Sequence, residues 1–142
     1  MAEETGTPDV VIQRTFGASA GAVFDAWTQP DVIRRWLFVS DANEIRHIEV
    51  DLRVGGRFSI VELSGRDVIE HFGEYSAVDR PNRLDFTLEE PKQVPSHTRV
   101  ELQFESAEWK CRLTFKQWGV PRETTESRWE RMFDTLDTVL SG

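Results

Sequence analysis

Three groups of residues have types and spacing that could do chemistry. His71 and Tyr75 are the first. Residues two and four apart on a strand share a face, so these two fall on one side with Ile69 and Gly73. An imidazole there could hydrogen-bond a bound molecule or move a proton near neutral pH. The same parity suits a His71 that faces water or is satisfied inside a core. Glu62 and Glu70 are the second group. They lie on strands beside the Asp67 turn and could converge on a substrate, and the plainer reading is an exposed charged patch. His47, Glu49 and Asp51 are the third. They share one strand face, a spacing that brings ligands together, but no second cluster completes a metal site. Cys111, the single cysteine, reads as a small buried hydrophobe, with no cationic neighbour in sequence to favour a thiolate. His97, beside a proline loop, reads as exposed. Val54-Gly55-Gly56 lacks the spacing and the following helix of a phosphate cradle, and there is no Gly-x-Ser-x-Gly elbow. No catalytic residue, metal or cofactor is assigned, and the chain leans away from being an enzyme.

The elements that must position these residues are legible in the periodicities. In the last stretch Trp129, Met132, Phe133, Leu136, Val139 and Leu140 form one helical stripe. The spacing predicts a helix over 126–140, with Ser127 and Glu130 as a capping box or with an earlier start after Pro121. Residues 1–8 read as a loose tail and 9–142 as one domain. A strand is expected over 10–16. Ser19 then caps a short helix carrying Val23, Phe24, Ala26 and Trp27, and Pro30 opens a second with Val32, Ile33, Trp36 and Leu37.

After a loop at 38–44, strands are expected at 45–52, 57–63, 68–78 and 84–89, with Gly73 a bulge or close-packing point and 90–96 a loop. In the last hairpin Val100, Leu102 and Phe104 face Trp109, Cys111, Leu113 and Phe115 inward. A turn at 105–108 sets Glu101 opposite Arg112 and Gln103 opposite Lys110. Consecutive strands joined by short turns make a curved antiparallel meander, and its concave face takes the long helix.

Composition narrows the function classes. The chain has 142 residues, 39% of them apolar, one cysteine and a formal charge of −8. An intrachain disulfide is therefore impossible. The charge argues against nucleic acid or an anionic membrane as partner, since both need a basic footprint. No apolar run approaches membrane-spanning length, and the polar N-terminus lacks a signal-peptide layout. A soluble cytoplasmic protein is expected.

Four stretches carry a family resemblance. They are Phe24-Asp25-Ala26-Trp27-Thr28 with Pro30 and Arg35-Trp36; Asp51-Leu52-Arg53-Val54-Gly55-Gly56-Arg57-Phe58; Gly73-Glu74-Tyr75 leading to Pro81-Asn82-Arg83-Leu84-Asp85-Phe86-Thr87; and Trp129 with Leu136. In this order, over about residues 9–140, the sequence resembles the homologues of the activator of heat-shock-protein-90 ATPase. These form a branch of the START-like, birch-pollen-allergen-like (SRPBCC) superfamily. The resemblance implies an α+β helix-grip fold: a curved seven-stranded antiparallel sheet around a long C-terminal helix, with two short helices between strands 1 and 2.

Two positions depart from the pattern. Members often carry an aromatic where this chain has Leu37, and a glycine where it has Arg128. The family commonly holds a small apolar or amphipathic molecule between helix and sheet. By that likeness the lining here is Trp36, Phe58, Ile60, His71, Tyr75, Phe86, Leu102, Phe104, Cys111, Leu113, Trp129, Phe133 and Leu136. Residues 38–44, 64–67 and 90–97 would frame its entrance, and a fully packed core is the competing outcome. Alternatives are a cyclase- or hydrolase-like enzyme using the same hollow, with His71 and Tyr75 as its polar groups, and a protein-interaction module. The partner of such a module would be a chaperone in a stress response or a second copy of the chain.

Overall fold

The computed structural model describes residues 6–90 and 97–141. In chain order the elements are β1 (Val10–Phe16), α1 (Ala20–Thr28), α2 (Pro30–Trp36), β2 (Asn43–Val50), β3 (Arg57–Ser64), β4 (Asp67–Asp79), β5 (Arg83–Glu89), β6 (His97–Ala107), β7 (Lys110–Trp118) and α3 (Arg122–Ser141). The strands form one seven-stranded sheet in the order β1-β7-β6-β5-β4-β3-β2, every neighbouring pair antiparallel. This is the helix-grip architecture. Trp129, Met132, Phe133 and Leu136 are the buried face of α3, as the stripe requires.

Local chemistry fixes the ends. Ser19 Oγ accepts from the Ala22 N–H at 3.1 Å and starts α1. Pro30 sits in the first turn of α2, where its missing N–H is harmless. The two short helices are tied by Trp36, whose indole donates to the Ala26 carbonyl at 2.8 Å. Gly73 is a close-packing point. A Cβ there would lie 1.8 Å from the backbone oxygen of Thr87, so β4 can approach β5 only without a side chain. The register shift in that ladder falls just beyond it, between Tyr75 and Ala77.

Several expectations are corrected. The β6–β7 turn is not at 105–108 but at Glu108 and Trp109, with Glu108 in the left-handed region at φ 58°. The register moves accordingly: Glu101 pairs with Lys116, Gln103 with Thr114, Glu105 with Arg112 and Ala107 with Lys110. Opposite charges still meet across the ladder, at Glu101–Lys116 and Glu105–Arg112. Trp109 does not point inward. It sits on the turn, out of the pleat, and is 87% exposed. β2 begins at Asn43 and ends at Val50, so it is displaced toward the N-terminus from 45–52. α3 takes the earlier of its two expected starts, at Arg122 directly after Pro121, which leaves Ser127 and Glu130 inside the helix rather than at its cap. The expected loop lies, from 91 to 96, outside the described residues, as does the tail up to residue 5. Gly6, in the described part of that tail, accepts from the Trp118 indole at 2.7 Å.

Candidate functional site

Phe38 is the residue around which the polar interior is arranged. It follows α2 at φ 61°, a left-handed conformation that costs a non-glycine residue about 1–3 kcal/mol. Two contacts hold it there. Its N–H approaches Met132 Sδ at 3.3 Å, and its carbonyl accepts from Asn43 Nδ2 at 2.7 Å. The Asn43 amide orientation is fixed by the Ser40 N–H, which donates to Oδ1 at 2.9 Å. The same Nδ2 donates to Glu62 Oε2 at 2.6 Å.

From Glu62 a buried network runs inward. Glu62 Oε1 meets His71 Nε2 at 2.5 Å, and the other ring nitrogen, Nδ1, meets Glu90 Oε2. Arg128 donates to the two Glu90 oxygens at 3.3 and 3.5 Å. His71, Glu62 and Glu90 are all buried. The Phe38 ring lies flat on the imidazole, with centroids 3.8 Å apart and planes 6° from parallel. The Arg128 guanidinium carbon is 5.4 Å from the Phe38 ring centroid.

The electrostatics follow from the donor count. A neutral imidazole has one N–H, but a carboxylate faces each ring nitrogen, so the arrangement is satisfied by an imidazolium donating twice. Burial works to lower the His71 pKa, yet the bonds to Glu62 and Glu90 outweigh it and hold it above its ordinary 6.5. For Glu62, burial works to raise the carboxyl, but bonds from His71 and Asn43 and the nearby positive charges keep it below its ordinary 4.5. Glu90 follows the same logic, with His71 and Arg128 outweighing burial. Two positive and two negative groups balance. A proton transfer by His71 would first have to break one carboxylate bond, because neither ring nitrogen is left free.

On the inner side of Phe38 is an apolar void of about 20 Å³, bordered by Trp27, Ile33, Leu37, Phe38, Val50, Phe58, Ile60, Tyr75, Phe86, Leu88 and Trp129. That is room for a single water at most. On the outer side is an open cleft of about 550 Å³, where Glu62, Arg128, Arg131, Met132 and Asn43 are among the walls. Phe38 borders both spaces. Trp27 is 3% exposed, and its indole Nε1 has no hydrogen-bond partner among the described residues. Burial pushes the Tyr75 phenol well above its ordinary value, so it stays neutral.

Of the residues expected to line the hollow, the structure brings Phe58, Ile60, Tyr75, Phe86 and Trp129 around this void. His71 lies against the far face of the Phe38 ring. Trp36, Leu102, Phe104, Cys111, Leu113, Phe133 and Leu136 are fully or almost fully buried but do not border it. Phe133 is ringed instead by Phe16, Trp27, Trp36, Phe115 and Trp129 at 5.7–6.2 Å between centroids. Glu62 corrects the reading of an exposed patch, being 8% exposed, whereas Glu70 is exposed and bonded to Ser59. Sequence reasoning did not single out Trp27, placed Phe38 and Glu90 only within segments framing the entrance, and set the substrate reading of Glu62 beside the plainer one of an exposed patch. His47 meets Glu49 at 2.9 Å on the surface, and among the described residues no group of three or more His, Cys, Asp or Glu could hold a metal ion. No helix among them is long and apolar enough to cross a membrane.

The comparisons with known proteins agree with this architecture. The family model described as "Activator of Hsp90 ATPase homolog 1-like protein" matches residues 17–141. The chain belongs to this family. A solved protein of Chromobacterium violaceum is 19% identical, with a TM-score of 0.84 over 93% of this chain and 96% of that one. An AHSA1-like protein from Aeromonas hydrophila is 25% identical, with a TM-score of 0.73 over 90% of each chain. A protein from Nitrosomonas europaea is 20% identical, with a TM-score of 0.76 over 92% of each. Among curated proteins none matches. AHSA1-like proteins of this fold commonly bind ligands or work in chaperone-associated roles.

Proposed function

We propose that this AHSA1-like chain binds a small amphipathic molecule between α3 and the concave face of the sheet, admitted past Phe38. The observation that carries the reading is Trp27. Its ring borders the inner void, and its buried indole N–H has no acceptor among the described residues. An unpaired buried donor costs about 1–3 kcal/mol, and a ligand oxygen would offset that cost. The void itself is too small for a ligand, so binding requires the Phe38 ring to leave its place on His71. Phe38 is suited to moving, since its backbone sits in an unfavourable region and is tied there by the bonds to Met132 and Asn43.

Titration of the protein's tryptophan fluorescence with medium-chain alcohols tests this. Saturable binding is expected, weakened several-fold in Trp27→Phe. The same substitution should leave the ligand-free protein as stable or more stable, because it removes the unpaired donor. An absence of saturable binding, or equal binding by Trp27→Phe, would contradict the reading. The enzyme alternative draws no such support, because both His71 nitrogens are engaged.

A further inference from the structure

We infer that the outer cleft is an oxyanion site, and that the molecule held by this chain is an amphipathic carboxylate whose head rests on Arg128 and Arg131. The inference rests on the ligand-binding reading above and adds the chemistry of the head group.

Each polar group at the cleft has a countable capacity, part of it already used. The buried carboxylates beside the cleft are already paired with donors of the protein, through both oxygens of each. Glu62 accepts from His71 on one oxygen and Asn43 on the other. Glu90 accepts from His71 and from both terminal nitrogens of Arg128. The donors are not spent. A guanidinium carries five N–H groups. Among the described residues Arg128 uses its own only in the two long contacts to Glu90, at 3.3 and 3.5 Å. Arg131, one turn further along α3, meets only Ser127 Oγ, at 3.4 Å, among the described residues. Both arginines border the cleft, together with Thr124 and the Ser40 hydroxyl. The N–H groups left over there belong to two guanidinium cations, which fits a planar carboxylate engaged in pairs of N–H bonds.

Asp41 is the opposing feature. It borders the same cleft, is exposed, and carries a negative charge. It belongs to the loop before β2, whereas both arginines lie on α3, so it weakens the site without occupying it. The apolar tail is accounted for by continuity. Phe38 is shared by the cleft and the aromatic void, and Arg128 stands over its ring, so a head on the arginines leaves the chain of the ligand at the door to the interior.

Calorimetry with three probes of one chain length tests the assignment: decanoate, decanol and decylammonium, at low salt and below their aggregation concentrations. Decanoate should bind about tenfold or more tightly than either of the others. Arg131→Gln, an exposed substitution that leaves the buried network intact, should remove most of that advantage and leave decanol affinity unchanged. Asp41→Asn should strengthen decanoate binding. If decanol binds as well as decanoate, or Arg131→Gln weakens both equally, the head-group assignment is overturned while the pocket reading stands. If decylammonium binds best, the sign of the site is wrong. If none of the three binds, both readings fall.

Discussion

The two ends of the interior are built differently. Around Phe133 the core is solid: Phe16, Trp27, Trp36, Phe115 and Trp129 surround a ring with no exposed surface. Around Phe38 there are a void, a left-handed backbone and four charged groups taken largely out of water. Burying ion pairs is seldom the stable choice, since well-packed apolar residues of similar volume often do as well or better. The first end is packed as a core that maintains the fold, whereas the second carries buried charge and open space that packing alone does not require.

The largest expected effect belongs to the solid end. Phe133→Ala should destabilise the chain by about 3–5 kcal/mol in chemical denaturation, because its neighbours cannot close the cavity. A loss near 1 kcal/mol would mean that this end is open as well. At the polar end, His71→Ala should cost about 3 kcal/mol, since it leaves Glu62 and Glu90 buried without their common partner. That is the lower end of such penalties, because Glu90 keeps Arg128.

Replacing the whole network sharpens the contrast. In Glu62→Met, His71→Leu, Glu90→Met and Arg128→Met together, stability should be unchanged or raised by about 1–4 kcal/mol, with the advantage of decanoate over decanol lost. A large destabilisation of that variant would show that the network is structural after all.

The pH dependence is a smaller effect with a definite sign. His71 is held above its ordinary 6.5, so its contribution is complete below that pH and is lost as pH rises through the folded value. Glu62 and Glu90 are held below 4.5, so theirs is complete above that pH and is lost as pH falls through their folded values. The network therefore contributes most between 4.5 and 6.5. Thermal melts of the native chain should show both flanks relative to the fourfold variant. The smallest change is Trp109→Ser, which should alter stability by no more than about 0.5 kcal/mol, as fits an indole out on the hairpin tip.

The fold was legible because period and punctuation agreed. The α3 stripe, Ser19, Pro30 and the alternation along β4 to β7 each placed an element within a few residues. The last hairpin was misregistered because sequence alone does not say that Glu108 accepts a left-handed backbone; a two-residue turn moved every pair by four positions. The candidate site was half legible. Glu62 has the parity of Phe58 and Ile60, and Glu90 that of Phe86 and Leu88, so strand alternation already pointed both inward. Their charge masked the signal. Phe38 could not be found this way, because its position depends on Met132 and Asn43, which are 94 and 5 residues away.

A guest lodged under Phe38 should leave the Phe133 end closed. An NMR titration of the isotope-labelled chain with decanoate tests this directly. Saturable shifts are expected at the Trp27 and Trp129 indoles, Phe38, Tyr75 and Phe86, with Leu102, Phe104 and Cys111 unmoved. Shifts confined to the surface, or none that saturate, would contradict it.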